Sequence, residues 1–345
     1  MKPLKYYIKI PLIVLLVLIL QFIYFNYIAT SNIGKIQKQE AQLENLRDTI
    51  EDLQNRLHES EKASFVSMHK IPDRVVFCMD TLDITNQVIR ERLEREFYSL
   101  LSQQGQIQLY LKRGIKYTDM IEKYLNSSGL PNDLKYLAIH ESALLPDIRS
   151  RSNAVGLWQF MRATGRLYGL KINRYIDERR HPEKATKSAI RFLSELYRYY
   201  GNWPVVLAAY NGGHGRVSRA IKNQSTTSFF DLSLPEETER YYFKIVATKI
   251  LLSHPEKYGF KLQEKDLFKP VRTISVELEV ESNKKTIEEI SSQCEISIAE
   301  FKFLNPQIIN SYLPRGTYSV NIPIDKANVF ANKKVPSEDE TFPEN

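Results

Sequence analysis

Glu141 is the first residue along this sequence whose position suggests acid–base chemistry. It lies near the end of a predicted helix that Asn132 or Asp133 would cap at its N-terminus. Burial of a carboxyl group against an apolar helix face raises its pKa, as a general acid near neutral pH requires. By itself the pattern is more typical of a capping or ion-paired glutamate. The apolar residues that share this face are Leu134, Leu137 and Ala138.

Two downstream segments bring glycines together with aromatic and amide side chains. Glycine lets the backbone approach a ligand closely. Aromatic rings stack on pyranose faces, and amides and hydroxyls bond the polar groups of a sugar. This combination favours a carbohydrate polymer as the ligand. The segments are Gly156-Leu157-Trp158-Gln159-Phe160-Met161 and Ala209-Tyr210-Asn211-Gly212-Gly213.

The elements that must position these residues are predominantly helical. Apolar residues recur at helical spacing through residues 86–260, which predicts a mainly α domain there. After residue 260 the pattern changes, and residues 270–326 predict a strand, two short helices and a closing strand. We therefore expect a large helical domain followed by a small α+β domain.

An apolar run near the N-terminus predicts export. Residues 10–29 are long enough to cross a bilayer core of about 30 Å as a helix. Lysines in residues 1–9 favour a cytoplasmic N-terminus and place the rest of the chain outside the cytoplasm. We favour an uncleaved transmembrane anchor, with a cleaved signal peptide as the alternative. Either interpretation makes a nucleic-acid partner improbable.

A heptad pattern follows the apolar run. Apolar residues alternate at spacings of three and four, with Gln39 at one of these positions, which predicts a coiled coil over residues 33–63. Such a helix would form a homodimer or hold the next domain away from the membrane, and a single helix folding back is the alternative. Residues 64–85 have mixed polarity and predict a linker or arm. The other seam residues are Ile36, Leu43, Leu46, Ile50, Leu53 and Leu57.

The charge balance points to an anionic partner. The 345 residues carry 48 Lys and Arg against 41 Asp and Glu, a net charge of +7. Residues 110–260 alone hold 24 Lys and Arg against 14 Asp and Glu, a surplus of ten. A basic domain of this kind is attracted to acidic polymers. The two cysteines, Cys78 and Cys294, exclude a disulfide-rich scaffold.

Four motifs together resemble one enzyme family. They occur in the order and spacing of the soluble-lytic-transglycosylase domain, and within it of the membrane-bound lytic murein transglycosylases of type D. The resemblance covers roughly residues 109–260 and implies a goose-lysozyme-like helical domain that cleaves the MurNAc–GlcNAc bond of peptidoglycan. The motifs are Glu141-Ser142, residues 156–161, residues 209–213 and Glu237-Thr238-Glu239-Arg240-Tyr241.

The resemblance implies a reaction as well as a fold. Glu141 would protonate the glycosidic oxygen and then accept the proton of the MurNAc C6 hydroxyl, giving a 1,6-anhydro product. The motifs supply no obvious second carboxylate, whereas a hydrolase of either stereochemistry uses a pair. We read Asp147 as structural. We expect no metal ion and no cofactor.

The remaining site residues are assigned by position in the motifs as substrate contacts. Ser142 bonds either the backbone, as a helix-terminal cap, or the substrate. Gln159 would contact sugar or brace its loop. Met161 resembles a subsite wall, and a core methionine is the alternative. The other expected contacts are Tyr210, Asn211 and Tyr241, for whose tyrosines simple packing is the alternative.

The C-terminal pattern resembles a LysM module, which binds GlcNAc-containing glycan. The usual Gly-Asp-Thr opening is absent, and Asn283-Lys284-Lys285-Thr286 stands in its place. Glycan binding and a purely structural role therefore both stay open. The tail at residues 333–345 is rich in acids and prolines and is expected to be disordered.

Taken together, the motifs favour a lytic transglycosylase of the bacterial inner membrane with its catalytic domain in the periplasm. Its expected partners are peptidoglycan strands and the membrane. Two alternatives differ in chemistry: a non-catalytic peptidoglycan-binding scaffold, and a muramidase that hydrolyses the same bond.

Overall fold

A computed structural model describes the backbone of residues 5–328 and the side chains of residues 14–30, 32–33, 35–60 and 69–328. The chain divides into two compact units, Met1–His69 and Lys70–Asn345. The predicted tail at 333–345 lies outside the described residues. The elements are α1 (Lys5–Met68), β1 (Val75–Phe77), β2 (Asp80–Leu82), α2 (Gln87–Leu101), α3 (Gln104–Ser127), α4 (Lys135–Ser142), α5 (Arg162–Leu167), α6 (Pro182–Tyr200), α7 (Trp203–Gly212), α8 (His214–Gln224), α9 (Glu236–Ser253), β3 (Thr273–Thr286), α10 (Ile287–Gln293), α11 (Ile298–Leu304) and β4 (Tyr312–Pro323).

The first unit is the single long helix α1. The predicted anchor and coiled coil lie on it without a break. Its apolar part is long and hydrophobic enough to cross a membrane, with a window of mean hydropathy 1.9, which suits either an anchor or a signal sequence. The heptad residues are exposed along this helix, Leu46 to 60%. Pairing through this seam stays a prediction.

Helix α9 is the centre of the second unit. It packs against α2, α3, α4 and α7. Helix α7 is apolar on all sides, and the residues from Trp203 to Ala209 are buried, as expected of a helix surrounded by others. The side chain of Asn202 caps its N-terminus by accepting a hydrogen bond from the Val205 N–H at 3.1 Å.

The predicted N-cap of α4 is wrong. A short 3₁₀ turn, Asn132–Leu134, precedes this helix, and neither Asn132 nor Asp133 caps it. The Asp133 carboxylate instead accepts from the Cys78 N–H at 2.7 Å and pairs with the Lys249 ammonium at 2.7 Å. The Asp133 side chain is therefore held by Lys249 of α9 and by the backbone of Cys78, and does not cap the helix as the sequence suggested.

The segment predicted as a linker or arm contains the β1–β2 hairpin. Its side chains Val75, Phe77 and Leu82 are buried, and Lys249 donates to the Val76 carbonyl at 2.7 Å. This hairpin therefore packs on the helical domain.

The C-terminal region has the predicted strand–helix–helix–strand order. Strands β3 and β4 pair antiparallel, with an irregularity between Val280 and Lys284. Thr286 and Glu289 form a capping box at the start of α10. We call residues 273–323 the C-terminal module. Its identification as LysM stays a prediction.

Candidate active site

Glu141 lies in the last turn of α4 and is partly buried. The hydroxyl of the buried Tyr241, on α9, donates a hydrogen bond to its carboxylate. Burial raises the pKa of Glu141 to about 7, and the negative charge of Glu237 contributes to the rise. The hydrogen bond from Tyr241 and the positive charge of Lys244 both lower this pKa. A carboxyl group with this pKa holds its proton in a large fraction of molecules at neutral pH, so it suits a general acid.

The backbone turns sharply just after Glu141. Ala143 and Leu144 both adopt positive φ, at 50° and 57°. The buried Ser142 hydroxyl donates to the Ala138 carbonyl at 3.0 Å and accepts from the Leu144 N–H at 3.1 Å. This geometry is that of a helix-terminal cap, so both bonds of the hydroxyl serve the backbone that presents Glu141.

A cavity of about 590 Å³ lies beside the glutamate. Glu141 itself is not among its lining residues, but Tyr210 is, and the charge of Glu141 contributes to the raised pKa of Tyr210. Tyr210 therefore both lines the cavity and lies close enough to Glu141 to be affected by its charge. Four of the predicted site residues line it: Gln159, Met161, Tyr210 and Asn211.

The loop at residues 153–161 forms one wall of this cavity. Gln159 lies at the turn with φ of 46°, and its amide donates to the Gly156 carbonyl at 2.9 Å. Gln159 thus braces the loop while lining the cavity. Met161 is 46% exposed, as a subsite wall would be and a core methionine would not. Trp158 is fully buried and donates to the Thr186 hydroxyl at 2.9 Å.

The end of α7 forms the opposite wall. The Tyr210 hydroxyl donates to the Trp158 carbonyl at 2.7 Å, which joins the two walls. The Asn211 side-chain oxygen accepts from the Thr238 hydroxyl at 3.0 Å. Gly212 is required beside it, because a Cβ there would lie 2.8 Å from the same hydroxyl.

Sequence reasoning missed part of the cavity wall. Phe192 and Tyr199, both on α6, line the cavity, and neither was singled out from the sequence. The Tyr199 and His214 rings meet edge to face at 4.6 Å. Tyr168 donates to Glu195, which is the one carboxylate-bearing residue among the described lining residues. These rings enlarge the surface on which a sugar could stack.

His140 faces away from this cavity. It lines a separate pocket of about 230 Å³ with Lys244. Burial, with a smaller contribution from Lys244, lowers the pKa of His140 to about 4, so the ring is neutral at neutral pH. It meets the Tyr241 ring edge to face at 5.9 Å and therefore packs behind the Tyr241–Glu141 pair. Within the described residues, no group of three or more His, Cys, Asp or Glu is placed to hold a metal ion.

The raised pKa predicts how the stability of a Glu141→Gln variant depends on pH. The folded-state pKa of about 7 exceeds the ordinary 4.5, so ionisation of Glu141 destabilises the fold as pH rises between these values. Glu141→Gln removes this penalty. We expect equal stability near pH 4 and a gain of up to about 3 kcal/mol near pH 8, since each pKa unit corresponds to about 1.4 kcal/mol. Urea unfolding across this range measures it, and a pH-independent difference would contradict it.

The Tyr241 hydrogen bond predicts a second change. Because this bond favours the ionised carboxyl, Tyr241→Phe should raise the pKa of Glu141 further. Tyr210→Phe is the matched control, since its hydroxyl bonds a backbone carbonyl instead. Carbon-13 NMR titration of the Glu141 carboxyl, identified by its loss in Glu141→Gln, measures both. Equal changes in the pKa of Glu141 in the two variants would show that the Tyr241 hydrogen bond does not lower this pKa.

Comparison with known proteins adds independent information. Residues 119–232 match the family model of the transglycosylase SLT domain. Membrane-bound lytic murein transglycosylase D of Escherichia coli is 33% identical over 206 residues, 58% of this chain and 44% of that protein. A peptidoglycan transglycosylase of Escherichia phage T7 is 29% identical over 148 residues, 41% of this chain and 11% of that protein.

Among solved structures, the 70 kDa soluble lytic transglycosylase of Escherichia coli matches with a TM-score of 0.33. That match has 22% identity over 45% of this chain and 27% of the other. The chain spans less than half of the length of the type D relative. The family match contains Glu141 and the cavity-lining residues of both walls, and Tyr241 follows it. Residues 119–232 of the chain therefore form a transglycosylase SLT domain, and the chain is distantly homologous to the type D relative over 58% of its length.

Proposed function

We propose that this chain is a lytic transglycosylase that cleaves the β-1,4 bond between MurNAc and GlcNAc in peptidoglycan. The observation that carries the proposal is the Glu141 carboxyl group, which accepts a hydrogen bond from Tyr241 near a cavity walled by aromatic and amide side chains, and whose pKa burial raises to about 7. The homology supports it, because the type D relative bears the name of such an enzyme.

The reaction uses one carboxyl group twice. Protonated Glu141 donates its proton to the glycosidic oxygen, and the C1–O bond breaks through an oxocarbenium-like transition state. The ionised carboxylate then accepts the proton of the MurNAc C6 hydroxyl. The C6 oxygen bonds to C1 and closes the 1,6-anhydro ring. The proton is thereby returned to Glu141, and no water is consumed.

Hydrolysis is the second candidate, and one residue favours it. Glu237 is exposed at the start of α9, close enough for its charge to raise the pKa of Glu141. A second carboxylate near Glu141 could activate water, as the general base of an inverting hydrolase does. We favour the transglycosylase because the type D and phage relatives are both named transglycosylases.

Digestion of purified sacculi distinguishes the two reactions. We expect the full chain to release 1,6-anhydro-muropeptides, which are lighter by one water than the products of a hydrolase. Glu141→Gln should abolish release while sacculus binding is retained, because only the proton carrier is lost. Mass spectrometry of the soluble products and a pull-down with insoluble sacculi measure these outcomes.

Glu237→Gln is the control for this digestion. A transglycosylase should keep its anhydro products in this variant, whereas a hydrolase that uses Glu237 should lose its reducing-end products. Binding without any soluble product from the unaltered chain would instead support a non-catalytic scaffold.

We further propose that α1 anchors the chain in the bacterial inner membrane with the SLT domain in the periplasm. The apolar window of this helix and the membrane-bound name of the type D relative support an anchor. The exposed heptad seam further along the helix supports self-association, since apolar residues at a and d positions pair with a second helix.

Membrane extraction tests the anchor. The full chain should stay in the membrane fraction after high-salt and alkaline washes and should be released by detergent. Its mass should include the residues of the apolar run. A washed-off chain that lacks these residues would show a cleaved signal peptide instead.

A further inference from the structure

The C-terminal module pairs its backbone with one short segment of the helical domain. Two lysines of that domain also contact rings of the module, Lys116 over Phe303 and Lys171 over Tyr318. Residues 173–177 lie between α5 and α6 and turn tightly on the Asn173 side chain, which accepts from the Tyr175 and Ile176 N–H groups at 2.8 Å each. The segment thus projects as a compact finger from the helical domain. Its tip is Tyr175 and Ile176.

The finger pairs with the module as a strand would. Ile176 forms an antiparallel bridge with Ile308. The Asp177 N–H donates to the Gln307 carbonyl at 2.8 Å, and the Ile309 N–H donates to the Tyr175 carbonyl at 2.9 Å. The contact therefore has a fixed register and is not a loose apposition of two surfaces.

The finger also completes the core of the module. Ile176 is only 6% exposed and belongs to the same cluster of buried residues as Phe301, Ile308 and Val320. The Tyr175 ring meets Tyr312 edge to face at 5.4 Å. A side chain of the helical domain is thus a core residue of the module.

The base of the finger is tied to the cavity wall. Asp177 and Arg179, both 4% exposed, form a two-pronged ion pair at 2.7 and 2.9 Å. Arg179 also donates to the carbonyls of Asn153 at 3.1 Å and Phe160 at 2.9 Å. These carbonyls belong to the 153–161 loop that carries Gln159 and Met161.

The loop follows the backbone of Arg179 closely. Gly156 has φ of 86°, and a Cβ at this position would lie 1.8 Å from the Arg179 carbonyl oxygen. A displacement of Arg179 would therefore be transmitted directly to the loop. The contacts run without a gap from Gln307 through Asp177 and Arg179 to Phe160.

We infer that the C-terminal module holds the 153–161 loop in its cavity-forming conformation through this finger. Ile176, Asp177 and Arg179 are thereby positioning residues for the substrate-binding wall, and the module acts as a structural brace of the helical domain. The inference rests on the proposed function only for the identity of the ligand that the loop binds.

Ile176→Asp in the full chain tests the brace. The substitution places a charge in the module core and should release the finger, whose docking is reported by hydrogen exchange at the Asp177 and Ile309 amides. We expect exchange in the 153–161 loop to accelerate by about tenfold or more while the amides in the middle of α9 stay protected, since local opening leaves the central core intact. Ile298→Asp is the matched control, because Ile298 is 43% exposed on the same module.

Kinetics on soluble peptidoglycan glycan fragments give the second readout. Because Glu141 and Tyr241 lie on α4 and α9, release of the finger should raise KM by about tenfold and leave kcat within about twofold, with an unchanged pH profile. Ile176→Val should restore the wild-type values. A fall in kcat with KM unchanged would overturn the positioning role.

The exchange experiment stands even if the chain turns over no glycan. If hydrogen exchange accelerates at the finger amides but not in the 153–161 loop, the inference is overturned. Equal acceleration throughout the helical domain would also overturn it, because that result indicates general destabilisation. If Ile176→Asp does not fold, Ile176→Ala is judged by the same criteria.

Discussion

Withdrawal of one carboxyl group from water is the constraint on which the arrangement of this domain depends. An ionised carboxylate in a partly dry site is unfavourable, so the group retains its proton to higher pH than it would in solvent. Helix α4 carries Glu141, and α9 carries its hydroxyl donor. Helix α9 packs against both α4 and α7, and α7 has no polar face of its own.

Opposing influences set the pKa of Glu141 near 7. Burial alone would raise it further, and the Tyr241 hydroxyl limits the rise by favouring the ionised form. The burial of Tyr241 raises its own pKa well above the usual value, so it stays a neutral donor over the whole working range. The same group can therefore release a proton and take one back with little change in conditions, as a two-step acid–base role needs.

Much of this site was singled out by its resemblance to a family. Glu141 and the four cavity residues were expected from their positions in the motifs, whereas the apolar helix face alone favoured a capping or ion-paired glutamate. Periodicity predicted a mainly helical region over residues 86–260 and the strand–helix–helix–strand order that follows it. What escaped prediction depends on contacts between distant parts of the chain. Asp133 was expected to cap a helix, but its carboxylate forms an ion pair with Lys249 of α9.

The finger could not be predicted from the sequence for the same reason. Nothing in the order Asn173 to Asp177 indicates a strand-like pairing, because its partner, Ile308, comes more than a hundred residues later. The buried Asp177–Arg179 pair likewise has a meaning only when the carbonyls that Arg179 bonds are known. Resemblance to a family points to Glu141, whereas the contacts that support this residue depend on the packing of this chain.

The shared core residue also bears on how such a protein can evolve or be divided. A cut near residue 270, where the sequence pattern changes, would separate two regions that look independent. The helical fragment would then expose Ile176 and Tyr175 as an apolar, aggregation-prone tip, and the module would lose part of its hydrophobic core. Replacing this module with an unrelated one would leave the same apolar residues exposed. We therefore expect the two regions to be inherited together.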